Sequence, residues 1–245
     1  MKKLLSMAFC AAAVTTLAED VTLAEDVTVA TVGVTAITLP KGQQNTIIAA
    51  SFTELATGEN ISIANIVKAT NLAEGDKILL YTDKNTYSAW KLNANKEWEK
   101  ADKTYTLDAT GVTENVGDDP SMTTVTVGTG LWIIRDNPTA DAKIALYGQY
   151  VSAKSTKTTA GAWNLIGNAR QAAFSSFEGA VGDQIVTVVN GALRTYNYKE
   201  GTDKGWYYTT YSDKGATKTY EPPSIAAGHG FWYYTASEKT LTWND

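Results

Sequence analysis

The same order of short motifs occurs twice along the chain, and this repetition constrains the fold more than any other feature of the sequence. A Gly-x-Gly-apolar-Trp motif occupies residues 128–132 and recurs at residues 228–232. Upstream of each, a Gly-Asp pair opens an apolar run, at residues 75–80 in the first half and at residues 182–187 in the second. A repeated motif order is the signature of an internal duplication. We therefore expect two similar modules.

The residues between these motifs favour strands. Gly and Asp suit a turn, since Gly accepts a positive φ and Asp bonds to nearby backbone. Val, Ile, Thr and aromatic residues fit a pleated sheet, and Thr alone accounts for 35 of the 245 residues. Short strands separated by Gly, Asn and Asp turns are typical of antiparallel sandwiches. The sequence predicts an all-β fold of two tandem antiparallel β-sandwich modules, of Greek-key or jelly-roll type, that arose by internal duplication.

An export signal is predicted ahead of the modules. Lys2 and Lys3 form a basic start, residues 4–14 are an apolar run, and Ala18 closes a small-residue cleavage site. Acidic residues follow too soon for a membrane anchor, which needs about 20 apolar residues. Removal of residues 1–18 would leave no Cys, which suits a bacterial exported protein. We expect a secreted or cell-surface bacterial protein whose mature chain has no transmembrane span.

The predicted mature chain has three parts. Residues 19–39 are expected to form an N-terminal strand, because Val, Thr, Ile and Ala dominate residues 27–38. This strand is either an ordinary first strand or an arm that pairs with the sheet of a neighbouring molecule. Residues 40–150 and residues 151–245 are the two predicted modules, and the boundary lies where residues 152–160 lack any large apolar side chain.

Three short motifs of the second half carry a family resemblance. Trp-Asn-Leu-Ile-Gly-Asn at residues 163–168, Gly-Asp-x-Ile at 182–185 and Gly-x-Gly-Phe-Trp at 228–232 occur in this order. In this combination the chain resembles β-sandwich modules of bacterial secreted and cell-surface proteins. Ala169 stands where that family commonly has Pro, and Gln44 stands in the first half in place of the Trp. The resemblance implies an extracellular sandwich without a known catalytic centre, and it identifies no ligand.

Residue types that carry chemistry are scarce. The one His, His229, lies between two glycines of a turn, where we expect a conformational role. Acid spacing at residues 83–85 and 136–141 could suit Ca²⁺, but neither loop has the EF-hand pattern. With 21 basic against 26 acidic residues, and only three Arg, the charge balance argues against nucleic-acid binding. We expect no enzyme activity, no catalytic residue, no metal site and no cofactor.

Aromatic residues are the most suggestive surface feature. Trp206, Tyr208, Trp232 and Tyr234 lie on two predicted strands near the C-terminus and form a candidate glycan-binding set. The structural alternative is that they are core residues and cross-strand pairs. The leading hypothesis is therefore a non-enzymatic structural or interaction protein that associates with itself or with other envelope proteins through strand pairing. The alternative hypothesis is a carbohydrate-binding module that uses these four aromatic residues to bind polysaccharide.

Overall fold

The structure is a computed structural model, and it describes residues 32–244 apart from residues 56–57, 67, 84–85, 102–103, 109–110, 116–122, 152 and 171. The predicted signal peptide and residues 19–31 of the predicted N-terminal strand lie outside the described residues. Almost all regular structure is strand, and one helical turn, α1 (Ile63–Ile66), is the exception among the described residues. The all-β prediction is confirmed. No helix in this part of the chain has the length and apolar character needed to cross a membrane.

The strands of the first half are β1 (Val32–Leu39), β2 (Asn45–Ala49), β3 (Ile61–Ser62), β4 (Lys68–Thr70), β5 (Lys77–Asp83), β6 (Thr86–Leu92), β7 (Trp98–Lys100), β8 (Thr104–Asp108), β9 (Gly111–Asn115), β10 (Thr124–Val125), β11 (Gly130–Ile134) and β12 (Ala142–Gln149). Those of the second half are β13 (Ala153–Lys157), β14 (Ala162–Gly167), β15 (Gln184–Val189), β16 (Ala192–Lys199), β17 (Gly205–Ser212), β18 (Gly215–Tyr220), β19 (Gly230–Thr235) and β20 (Thr240–Asn244).

Each half is a β-sandwich with its own core. In the first half, a large sheet of order β2-β11-β5-β6-β8-β9, with β7 also paired to β6, packs against a small sheet of order β1-β12-β4. In the second half, a sheet of order β14-β19-β15-β16-β17-β18 packs against the β13-β20 pair. The first core is centred on Trp90 and the second on Phe231 and Tyr233, all with essentially no exposed surface.

The two large sheets match strand for strand. The order β2-β11-β5-β6-β7 in the first corresponds to β14-β19-β15-β16-β17 in the second, and the β1-β12 pair corresponds to β13-β20. Trp132 lies opposite Leu79 as Trp232 lies opposite Val186. These matches agree with the predicted duplication, which itself stays a prediction.

The strand pairing corrects the sequence match of the two halves by one residue. Asn45 pairs with Ile134, and the equivalent partner of Tyr234 is Trp163. The position of Trp163 in the first half is therefore Asn45 and not Gln44. Placing Gln44 opposite Trp163 also matches Asn45 with Asn164, so the sequence favours that alignment. Hydrogen-bond register decides the alignment of the sheets instead, and a shift of one residue moves each side chain to the opposite face.

Part of the predicted N-terminal arm is an ordinary strand of the first sandwich. Strand β1 pairs with β12 along its whole length, from the pair Val32–Gln149 to the pair Leu39–Ala142. Ile37 and Leu39 are buried in the first core. The first sandwich therefore includes residues 32–39, which the sequence placed ahead of residue 40.

The two Gly-x-Gly turns join the halves reciprocally. The N–H of Ala49 donates to the carbonyl of Gly228 at 2.7 Å, and the N–H of Gly167 donates to the carbonyl of Gly128 at 2.8 Å. Gly128 and Gly228 adopt φ values of 93° and 73°, which favour glycine. A Cβ atom on Gly167 would lie 2.5 Å from the Cβ of Ala49, so the close approach of the two backbones needs a glycine there as well.

Candidate functional site

The four predicted glycan-binding residues divide between two faces of the second large sheet. Tyr208 lies opposite Tyr196, and Trp206 lies opposite Tyr198, on the face that covers the core. Trp232 and Tyr234 alternate with the buried residues of β19 and lie on the opposite, outer face. The predicted joint site is therefore corrected, because residues of two strands share a surface only when their register gives them the same parity.

Trp206 and Tyr208 serve the core. Trp206 is 5% exposed, and its indole N–H donates to the carbonyl of Phe177 at 3.2 Å. The ring of Tyr208 contacts Tyr196 edge-on at 5.5 Å, and the guanidinium of Arg194 lies 4.1 Å from its centroid. Both side chains are used in packing, as the structural alternative predicted.

Trp232 belongs to an aromatic cluster between the halves, which we call the junction cluster. Trp232 meets Tyr81, Tyr87 and Trp132 edge to face, with centroid distances of 5.0, 6.1 and 6.3 Å. The indole N–H of Trp132 donates to Asn45 Oδ1 at 3.2 Å. Burial, with a smaller effect of Tyr81, raises the pKa of Tyr87 to about 12. The junction cluster packs the first sandwich against the second, and the Trp of each Gly-x-Gly motif is an anchor between sheets.

Tyr234 lies in a line of partly buried side chains that crosses five strands of the outer face. Its ring lies 5.6 Å from that of Trp163, which is its cross-strand neighbour. On the other side the line continues through successive cross-strand pairs to Tyr207 of β17, whose own partner on the edge strand β18 is the exposed Tyr220. We call this line the outer row; its members are Trp163, Tyr234, Gln184, Asn197 and Tyr207.

Sequence reasoning found only Tyr234 of these five residues. Trp163 belongs to the Trp-Asn-Leu-Ile-Gly-Asn motif, for which the sequence predicts a structural role. Tyr207 lies between Trp206 and Tyr208, so its side chain points to the opposite face of the strand. The signal that was missed is the register between strands, because it places one side chain from each of five strands on a common line.

The equivalent line in the first half borders a polar cavity. Asn45, Ile134, Lys77 and Lys91 occupy the same positions across β2, β11, β5 and β6. The cavity has a volume of about 690 Å³, and Glu74, Asp136 and the buried Arg135 also contribute to its wall. Its remaining lining residues are Gln44 and Gly75. The first half therefore carries charged residues where the second half has Gln184 and Asn197.

Asp183 and Lys239 form a buried ion pair that has a structural role in the second half. Asp183 has no exposed side-chain surface and accepts hydrogen bonds from the ammonium of Lys239 at 2.5 Å, the N–H of Ala180 at 2.9 Å and the hydroxyl of Tyr233 at 3.0 Å. Burial by itself would raise the pKa of Asp183, but these hydrogen bonds outweigh it and hold the pKa below its usual value. Burial and the Asp183 charge raise the pKa of Tyr233.

The other chemical candidates also have local structural roles. The backbone carbonyl of His229 accepts a hydrogen bond from the N–H of Asn168, and His229 forms an isolated β-bridge with Ile48 of the first half. Burial lowers the pKa of the His229 imidazole. In the 136–141 loop, Asp141 accepts the backbone N–H of Lys41 at 2.7 Å. The 83–85 loop lies partly outside the described residues. Within residues 32–244, as far as they are described, no group of three His, Cys, Asp or Glu side chains is placed to share a metal ion.

Strand β1 lies at a sheet edge and exposes apolar side chains. The order β1-β12-β4 leaves one side of β1 without a strand partner among the described residues. Val32 and Val34 are 55% and 61% exposed on the face that points away from the core. The eight residues of β1 include no charged side chain.

Comparison of the chain with protein-family models, with curated proteins and with solved structures finds no match. The resemblance to bacterial surface modules therefore stays an expectation based on short motifs.

Proposed function

We propose that this protein is a non-enzymatic structural or interaction protein, exported to the surface or extracellular matrix of a bacterium, that associates with copies of itself through the edge of β1 opposite β12, which has no strand partner among the described residues. The observation that carries this proposal is the combination of an open edge with exposed Val32 and Val34. Open edges with apolar, uncharged residues are templates for pairing with a further strand.

Four of the other edge strands differ from β1 in charge, whereas the five-residue edge strand β20 is also uncharged. The sequences of β4, β9, β13 and β18 each include a Lys or a Glu, and such charges discourage edge-to-edge contact. The edges of β2 and β14 face each other at the junction between the halves. Charged residues in an edge strand protect a sheet from pairing with another molecule. The eight residues of β1 lack such charges, which supports a role for β1 in assembly.

The proposed contact is symmetric. If β1 pairs with β1 of a second copy in antiparallel register, the same patch is used twice and the assembly closes with a twofold axis. Backbone hydrogen bonds would supply affinity, and the outward side chains Val32, Val34, Ala36 and Thr38 would set the register. A charge introduced on this face would occur twice in the interface and would repel its own copy.

The test is the mass of the mature chain, beginning at Glu19, by sedimentation over a range of concentrations. We expect self-association that Val34→Lys weakens at least tenfold. Val181→Lys is the matched control, because Val181 is 62% exposed and lies outside β1. A mature chain that is monomeric at every concentration, or an assembly that Val34→Lys and Val181→Lys affect equally, would show that the β1 edge has no such role.

A further inference from the structure

We propose that the outer row of the second sandwich is a binding site for an extended neutral polysaccharide. The row is a set of five side chains from five adjacent strands, with aromatic rings at both ends and two amides in the middle. This site differs from the four residues that the sequence suggested, and it is independent of strand pairing at β1.

The rings provide the apolar part of the site. Trp163 and Tyr234 are half-buried neighbours on β14 and β19, with their ring planes inclined by 55°. Each therefore combines a fixed position with some exposed ring surface. The C–H faces of a pyranose ring are apolar, and contact with an aromatic ring removes both surfaces from water at little conformational cost.

The amides provide the polar part. Gln184 Nε2 donates to Asn197 Oδ1 at 3.1 Å, which fixes both side chains across β15 and β16. No hydrogen bond from the described residues engages Gln184 Oε1 or Asn197 Nδ2, so the pair offers solvent an acceptor oxygen and more than one amide N–H donor. A sugar hydroxyl is both a donor and an acceptor and can satisfy both groups.

The charge of the row defines the class of ligand. None of its five members is charged, whereas the equivalent line of the first sandwich carries Lys77 directly opposite Lys91. An anionic ligand would gain no ion pair from Gln184 and Asn197 and would lose part of its hydration on contact with the rings. At the β17 end, the ammonium of Lys218 lies 4.6 Å from the centroid of Tyr207 and so covers one face of that ring. Lys199, two residues from Asn197 on the same face, is paired with Asp203 at 3.1 Å. The observations therefore favour an uncharged glycan.

The length of the row favours a polymer. Five adjacent strands span four inter-strand spacings, or about 19 Å in total. A monosaccharide would contact only one or two members, so affinity is expected to rise with chain length until the row is covered. The row also lies next to Trp232 of the junction cluster, which is two residues from Tyr234 on the same strand.

The test is electrophoresis of the mature chain in native gels that contain xylan, mannan, laminarin or starch, with polygalacturonate as an anionic polymer. We expect at least one neutral polymer to retard the chain, with little effect of salt. Trp163→Ala and Gln184→Ala are each expected to weaken the interaction at least tenfold. Tyr211→Ala is the control, because Tyr211 is 83% exposed on β17 beyond the row. The thermal midpoint of each variant shows whether it is folded.

Four results would overturn the proposal. The first is a lack of retardation by every neutral polymer. The second is retardation that folded Trp163→Ala and Gln184→Ala variants retain in full. The third is salt-sensitive retardation by polygalacturonate alone, which would direct attention to the Lys77 and Lys91 cavity of the first sandwich. Loss of self-association in the Trp163→Ala variant without glycan binding would instead show that the row is a protein interface, and it too would refute the glycan site.

Discussion

The ion pair between Lys239 and Asp183 provides the sharpest test of how the second sandwich is stabilised. The side chain of Lys239 is 19% exposed and that of Asp183 is 0% exposed. Asp183 also accepts hydrogen bonds from the N–H of Ala180 and the hydroxyl of Tyr233. Replacement of Lys239 by Met keeps the aliphatic length of the side chain and removes its charge. The carboxylate of Asp183 would then remain buried without a cation.

The expected magnitude follows from burial. Loss of one partner of a buried ion pair typically costs about 3–5 kcal/mol, because the other charge stays desolvated. Here Asp183 retains two hydrogen bonds and Lys239 is partly exposed, so we expect a loss of about 2–3 kcal/mol, at or below the low end of that range. For a chain of this size that corresponds to a fall of roughly 4 to 12 °C in the thermal midpoint.

The control is Lys157→Met. Lys157 pairs with Glu238 at 3.5 Å, but their side chains are 72% and 64% exposed. An exposed pair of this kind contributes less than about 1 kcal/mol. Urea denaturation followed by tryptophan fluorescence near neutral pH should therefore separate the two variants clearly.

The pH dependence of this difference has a definite sign. The pKa of Asp183 is lowered in the folded chain, so the ionised carboxylate stabilises the fold above the ordinary Asp value of about 3.9. This stabilisation is lost as the pH falls through the lower folded-state pKa. The difference between the natural chain and Lys239→Met should thus be largest near neutrality and should shrink in acid. Equal stability of Lys239→Met and Lys157→Met near neutral pH would refute the reasoning.

Two further predictions concern the junction and the second core. Gly167→Ala places a Cβ 2.5 Å from the Cβ of Ala49 and 2.7 Å from the carbonyl oxygen of Thr129, so we expect a loss of about 1–3 kcal/mol in urea denaturation, and an unchanged midpoint would contradict the close approach. Trp206→Ala should cost about 3–5 kcal/mol, whereas Tyr211→Ala should change stability by less than about 0.5 kcal/mol. Calorimetry on both variants checks this, and similar values would mean that Trp206 is not a core residue.

Much of the fold follows from local sequence. The Gly-Asp turns were predicted from residue type, and the structure confirms them. Gly75 and Gly182 have φ values of 95° and 92°, and Asp76 and Asp183 each accept a backbone N–H three residues upstream. The presence of strands could also be predicted from the sequence, because β-branched and aromatic residues between turn residues favour the extended chain.

The candidate sites were harder to predict from the sequence, because each depends on contacts between residues far apart in the chain. Strand β1 is paired with β12, more than a hundred residues later, and nothing local to residues 32–39 indicates that Ile37 and Leu39 are buried. The aromatic residues near the C-terminus were misassigned for a similar reason. Both faces of the second sheet carry aromatic rings, so composition could not say which rings face the core.

The amino-acid sequence alone determined that the chain forms antiparallel strands, where its Gly-Asp turns lie and that its motifs repeat, since these properties depend on residues close together in the chain. The tertiary structure decided which side of each strand is buried, which rings join the two halves and which side chains form the outer row. The physical reason is that side chains alternate along a strand, so a single step in the register between distant strands exchanges the buried face for the exposed one.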